Sequence, residues 1–208
     1  MKKSKIVIFV LSGFFILFLS GCVKREITNI NSKGKNIICF GDSLTYGYGA
    51  EGGGDYPAAL SKMIGAPVLN KGISAETSQD ALKRLKEDVL DNDPYLVIVE
   101  FGGNDFIKKL PVKETVKNTE EMIKQIQNAG AMVALVDVSS GLLMGEYSLR
   151  LKFLSIKYKT IFVNQVLKGI FNKPHLKSDF IHPNEAGYKL IAEKIYKQIK
   201  PYLKSKAS

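Results

Sequence analysis

Four short segments of this 208-residue chain carry side chains whose types suit acyl transfer. Gly41-Asp42-Ser43-Leu44 offers a serine in a tight turn, and Gly102-Gly103-Asn104-Asp105 offers a carboxamide. Asp179-Phe180-Ile181-His182-Pro183 offers a carboxylate three residues ahead of an imidazole, and Gly72-Ile73-Ser74-Ala75 offers backbone donors. A serine hydroxyl is a poor nucleophile until a base takes its proton, and histidine is the usual base because its ordinary pKa of about 6.5 suits neutral pH. A carboxylate bonded to the other ring nitrogen holds the imidazole in one tautomer, and a single turn brings Asp179 to His182. The oxyanion of the tetrahedral intermediate needs fixed donors, each worth about 2.7–4 kcal/mol. The NH2 of Asn104 and the backbone N–H groups of Ser43 and Ala75 are the candidates, with Gly102 and Gly103 letting Asn104 come close. Taken singly each segment is weak. A Gly-Asp-Ser serine is ordinarily a helix cap, Asn104 a turn residue and His182 a loop residue. Their weight depends on whether one edge of one sheet collects them.

The elements that must position them are legible as short apolar runs between helical periods. Strands are expected at 36–40, 67–70, 95–100, 132–136 and 160–163. Helices are expected at 56–64, 77–90, 115–128, 147–158 and 184–199, with Thr77 or Ser78 and Asn184 as caps and Gly130 as a stop. Strands alternating with helices imply a mostly parallel five-stranded sheet with helices on both faces, an α/β fold. Leu96-Val97-Ile98-Val99 and Val133-Ala134-Leu135-Val136 are apolar throughout, as strands covered on both sides are. Ligands of such sheets bind beyond the carboxyl ends of the strands, which is where all four segments fall.

With these residues in place, the sequence resembles the SGNH/GDSL hydrolases, and among them the bacterial thioesterases, lysophospholipases and arylesterases. The resemblance spans roughly residues 36–199. It is carried by Gly41-Asp42-Ser43-Leu44, by Ser74-Ala75-Glu76-Thr77-Ser78-Gln79, by Val99-Glu100-Phe101-Gly102-Gly103-Asn104-Asp105 and by Asp179 and His182. It implies a three-layer α/β/α sandwich of flavodoxin-like form. It also implies Ser43 as nucleophile, His182 as base, Asp179 as its partner, and Ser43, Ala75 and Asn104 as the oxyanion hole. The family usually has glycine where Ala75 stands. A backbone N–H survives that change, but a positive φ there would cost alanine about 1 kcal/mol. Gly72 is the other candidate donor. The Gly-x-Ser-x-Gly elbow of α/β-hydrolases is absent, because Thr45 replaces its second glycine. No phosphate loop or metal-ligand cluster appears, so no cofactor or metal is expected.

Residues 1–21 read as an export signal: Lys2, Lys3 and Lys5 precede an apolar run from Ile6 to Leu19 that is short for a membrane span, which needs about 20 residues. The run ends in Leu19-Ser20-Gly21-Cys22, which resembles the bacterial lipoprotein box. Cys22 would then be lipidated and anchor the protein to the outer face of the cytoplasmic membrane; an uncleaved anchor helix is the alternative. Residues 22–35, polar and turn-rich after the cysteine, read as a flexible spacer, and residues 36–203 as the hydrolase domain. Of the two cysteines, Cys22 is thereby consumed and Cys39 reads as a small buried hydrophobe. The formal charge of +10 falls to 10 − 3 = +7 without the leader lysines. The remaining lysines and arginines, Lys83, Arg84 and Lys86 among them, read as a solvated basic surface with some attraction for an anionic membrane. No module that would bind nucleic acid is recognisable, and the oligomeric state is left open.

Acyl transfer to water does not fix the acyl chain or the leaving group. The apolar segments Phe106 to Pro111 and Leu142-Leu143-Met144 either line an acyl or aryl slot or pack in the core. Ester, lysophospholipid or thioester hydrolysis, deacetylation of wall or capsule sugars, and a binding lipoprotein without activity remain the alternatives. The intact Ser43, Asp179 and His182 weigh against the last. His175, Asp42, Asp105 and Asp137 are read as structural.

Overall fold

The computed structural model describes residues 26–139 and 144–204. Five strands, β1 (Asn36–Gly41), β2 (Val68–Gly72), β3 (Pro94–Glu100), β4 (Met132–Val136) and β5 (Ile161–Val163), form one sheet in the order β2-β1-β3-β4-β5. Every pairing is parallel. The strand order reverses between β1 and β3, the crevice where such sheets bind ligands beyond their carboxyl ends.

Alternate strand residues serve two cores. Ile37, Cys39, Leu96, Ile98 and Ala134 face α2 (Tyr56–Ile64) and α7 (Glu185–Ile199), which supply Tyr56, Leu60, Tyr188, Ile191 and Ile195. Ile38, Phe40, Val97, Val99 and Leu135 face α3 (Ser78–Asp88), α5 (Val112–Asn128) and α6 (Gly145–Lys157), through Leu85, Met122, Ile126 and Leu151. Burying each such side chain contributes about 1.5–3 kcal/mol, so the unbroken apolar runs of β3 and β4 are what hold the three layers together.

Helix boundaries shift from expectation where local chemistry overrides periodicity. Helix α5 starts at Val112, directly after Pro111, whose fixed φ of −59° leads into a helix. Helix α3 ends at Asp88, because Val89 leaves helical geometry at φ −123° and a 3-10 turn follows. Thr77 and Asp80 form a capping box, and Asn184 caps α7 through the Gly187 N–H. Two short helices, α1 (Ser43–Tyr46) and α4 (Gly103–Ile107), were not expected. At four and five residues they are too brief for periodicity to register.

Residues 26–35 do not stand clear of the domain as a flexible spacer would. Ile27 is buried in the core. Thr28 N–H donates to the Lys159 carbonyl at 3.0 Å, and its hydroxyl to the Tyr158 carbonyl at 3.0 Å. The Asn29 carboxamide donates to the carbonyls of Gln127 at 2.7 Å and Ala131 at 3.0 Å. The Gln127, Tyr158 and Lys159 carbonyls lie in or just past the last turns of α5 and α6, where a helix carbonyl lacks its usual N–H four residues on, and the Ala131 carbonyl lies just ahead of β4. Polar residues that read as linker are therefore docking groups.

Candidate active site

Gly41 ends β1 where the chain must fold back over β3. A Cβ there would lie 2.0 Å from the Thr45 hydroxyl and 2.7 Å from the Glu100 carboxylate, so only glycine fits. Asp42 then caps α1, its Oδ1 accepting from the Leu44 N–H at 3.1 Å. That places Ser43 on the first helical position, where a backbone N–H has no intrahelical acceptor.

Ser43 Oγ lies 3.0 Å from His182 Nε2, and His182 Nδ1 lies 2.7 Å from Asp179 Oδ2. The other oxygen of Asp179 accepts from the N–H groups of Ile181 and His182, both at 2.8 Å. Burial works to raise the Asp179 carboxyl, but the His182 ring and these two N–H groups outweigh it and hold it at about 2. The turn is closed by Ser178 N–H donating to the His182 carbonyl at 3.0 Å. The Tyr48 ring packs against the imidazole, with centroids 4.5 Å apart.

Asn104 is brought in by Gly102, at φ 110°, where a Cβ would strike the Tyr147 ring. Asn104 Nδ2 donates to Asp42 Oδ2 and to the Glu76 carbonyl, each at 3.0 Å. Asp105 turns inward as a structural tie, accepting from the Ser78 N–H at 2.9 Å and from the Ser78 and Thr115 hydroxyls. Burial pushes the Asp42 carboxyl up to about 6, against the hydrogen bonds from Leu44 and Asn104.

Ala75 has φ 66°, the left-handed conformation that favours glycine. Among the described residues its N–H has no acceptor within hydrogen-bond reach, and its carbonyl is held by Lys108 Nζ at 3.0 Å. The Gly72 N–H is spent on Asn70 Oδ1 at 2.9 Å. Glycine is required at position 72 for another reason: a Cβ would lie 2.1 Å from the Tyr46 N.

Three contributors were missed in the sequence. Glu100 is buried under the serine turn, with Oε2 accepting from the Thr45 hydroxyl at 2.8 Å; Tyr56 Oη lies 2.8 Å from that hydroxyl. Burial, followed by the charge of Asp42, holds the Glu100 carboxyl well above the usual carboxylate range. The signal was available, since a lone acid closes an otherwise apolar strand. Tyr48 carries no local signal. Arg84 was read as solvated surface, and the structure corrects this. Its guanidinium pairs with Glu76 and Asp88, donates to the Gly41 and Lys71 carbonyls, and lies 4.5 Å over the Phe40 ring. Lys83 and Lys86 remain exposed.

A cleft of about 230 Å³ opens on Ser43, Asn104 and His182 and is walled by Leu44, Phe106, Ile107, Met144 and Phe171. Phe106 and Ile107 thus line the cleft rather than the core. Leu142, Leu143 and Cys22 lie outside the described residues. Cys39 is buried and forms no disulfide among the described residues. Asp137 is structural, bonded to the Ser139 N–H at 2.8 Å and the Ser148 hydroxyl at 2.6 Å, and His175 sits on an exposed 3-10 turn. Among the described residues no cluster of His, Cys, Asp and Glu could hold a metal ion.

Residues 39–190 match the model of the GDSL-like lipase/acylhydrolase family. Esterase TesA of Pseudomonas aeruginosa is 26% identical over 198 residues, covering 90% of this chain and 98% of that protein. Thioesterase 1/protease 1/lysophospholipase L1 of Escherichia coli is 27% identical over 173 residues, covering 79% of this chain and 83% of its own. The psychrotrophic esterase EstA from Pseudoalteromonas sp., solved as a structure inhibited by monoethylphosphonate, superimposes with a TM-score of 0.71 at 28% identity. That match covers 80% of this chain and 97% of the other.

Proposed function

The chain belongs to the GDSL-like lipase/acylhydrolase family and is an ester-hydrolysing enzyme, and we propose that Ser43, His182 and Asp179 carry the reaction. His182 Nε2 takes the Ser43 proton as Oγ attacks the acyl carbon, and the carbonyl electrons move onto oxygen. Collapse of the tetrahedral intermediate breaks the bond to the leaving alkoxide, which takes the proton from His182. Water, deprotonated by the same nitrogen, then attacks the acyl-serine, and a second collapse returns Ser43 and releases the acid. Asp179 orients the ring and stabilises its charged form.

The N–H groups of Ser43 and Ala75 and the Asn104 amide are the oxyanion donors in this reading. Ala75 is preferred to Gly72 because the Gly72 N–H already serves Asn70. Both amide hydrogens of Asn104 have acceptors in the resting site, so one is shared with the oxyanion as charge develops. The apolar walls of the cleft favour a carboxylic ester with an acyl or aryl group over a polar sugar acetate.

The observation that carries this reading is the unbroken chain Ser43–His182–Asp179, at 3.0 and 2.7 Å. Its test is Ser43→Ala assayed against p-nitrophenyl acetate, longer p-nitrophenyl esters, lysophospholipid and acetylated glycans. Hydrolysis is expected to vanish while circular dichroism stays native. A folded Ser43→Ala protein with wild-type rates would exclude the mechanism, and a preference for acetylated glycans would favour the deacetylase.

The leader and Leu19-Ser20-Gly21-Cys22 support an exported lipoprotein, held by Cys22 at the outer face of the cytoplasmic membrane. Radioactive palmitate should label wild type and not Cys22→Ala; an unlabelled wild type would exclude lipidation.

A further inference from the structure

The place where the chain joins the domain bears on which esters reach the cleft. Glu26 pairs with Lys159 at 2.7 Å, Thr28 bonds the Lys159 carbonyl, and Asn29 bonds the Gln127 and Ala131 carbonyls. Lys159 and Ala131 lie just ahead of β5 and β4, so this is the N-terminal edge of the sheet. Ser43, Asn104 and His182 lie beyond the opposite edge. Strand β3, seven residues long, separates the two edges by about 20 Å, and a domain of this size is about 40 Å across.

Cys22 precedes Glu26 by four residues, and four peptide units reach at most about 14 Å. A free spacer from Cys22 to Lys35 would reach about 45 Å, enough to let the domain turn over on its anchor. Docking of residues 26–35 removes that freedom. Three lysines of the anchor pole, Lys33, Lys200 and Lys204, have no carboxylate partner among the described residues and suit an anionic leaflet. At the far pole Phe106 and Ile107 wall the cleft, and Tyr46, Tyr48, Ile73 and Phe180 stand in the segments that carry or adjoin the site residues; all six are exposed.

We infer that the anchored enzyme takes acyl esters that are dissolved or micellar in the external phase, and not acyl lipids of the bilayer that holds Cys22. This rests on the esterase and lipoprotein readings proposed above. The short docked tether sets the selection: the apolar rim meets amphiphiles arriving from outside, while esters in the anchoring bilayer lie behind the domain.

The test uses the full, palmitate-labelled protein reconstituted in phosphatidylethanolamine–phosphatidylglycerol vesicles. Wild type is compared with a variant carrying a Gly/Ser insertion of about 40 residues after Arg25, which spans roughly 35 Å when relaxed. Soluble p-nitrophenyl butyrate added to the vesicles, and p-nitrophenyl palmitate in detergent micelles given to the detergent-solubilised proteins, are expected to be cleaved equally by both. Embedded in the enzyme's own vesicles, p-nitrophenyl palmitate is expected to be cleaved at least about tenfold faster by the insertion variant, because a tether too short to span leaves the effective concentration near zero. Equal rates on the embedded ester, fast or slow, would overturn the inference while micellar cleavage left the esterase reading intact. Failure to cleave butyrate would instead remove the esterase reading, absence of label would remove the anchor, and either would take the inference with it.

Discussion

The carboxamide of Asn104 donates to the carboxylate of Asp42 at 3.0 Å, which joins the turn after β1 to the turn after β3 across the crevice where the strand order reverses. Asp42 sits immediately before Ser43, so the serine and the asparagine are held to one geometry. Asn104→Ala is expected to lower kcat by about 10²–10³ with a much smaller change in KM, because an oxyanion donor acts mainly in the transition state. Steady-state kinetics on a p-nitrophenyl ester decides it. A change confined to KM would make Asn104 a substrate-binding residue.

Ala75 carries a side chain at φ 66°. Ala75→Gly keeps the N–H and removes the left-handed strain, so activity should be preserved and stability should rise by about 1 kcal/mol. Thermal unfolding and kcat/KM measure the two effects. A large loss of activity would mean that the methyl group itself shapes the pocket. Proline is unsuited as a probe here, since its ring holds φ near −65° and the native backbone would be lost along with the donor.

Asp179 in the folded protein titrates at about 2, below its ordinary 3.8. A depressed carboxylate pKa gives stability that is complete above the unfolded value and is lost as pH falls through the folded one. The Tm gap between wild type and Asp179→Asn should therefore be widest above pH about 5 and close toward pH 2. The gap should be small, because the Asp179 side chain is 40% exposed and solvent screens the pair. A gap that does not change with pH would assign the effect to packing.

Burial pushes the Glu100 carboxyl well above the usual carboxylate range, which favours its uncharged form, so Glu100→Gln should fold and keep activity within a few-fold: the carboxamide still accepts from Thr45. Glu100→Ala leaves the Thr45 hydroxyl without that acceptor and opens a cavity, at a cost of about 2–4 kcal/mol. The sign of the pH dependence follows from the raised pKa. Wild type must keep this group protonated above its ordinary 4.5, so the stability of Glu100→Gln relative to wild type should increase as pH rises. Chemical unfolding from pH 4.5 upward measures it. A much less active glutamine variant would show that the carboxylate charge is required.

The alternation of strands and helices, the caps at Thr77 and Asn184, and the four loop segments beyond the strand ends were legible because each is a local pattern. Side-chain period and capping chemistry act within a few residues, and a parallel sheet places every loop that follows a strand at one edge. The pairing of Asp179 with His182 was legible for the same reason, since the two lie three residues apart in one turn. Arg84 and Glu100 were not. An arginine in a helical period looks the same whether it faces water or reaches the carbonyl of Gly41, 43 positions away. Thr28 and Asn29 looked like linker because polarity in a sequence does not record whether water or a distant backbone carbonyl takes the hydrogen bond. The contact between Ser43 and His182 spans 139 positions. Its distance, the left-handed backbone of Ala75 and the docking of residues 26–35 were decided by how the layers pack, because only packing brings donors and acceptors so far apart in the chain within 3 Å of each other.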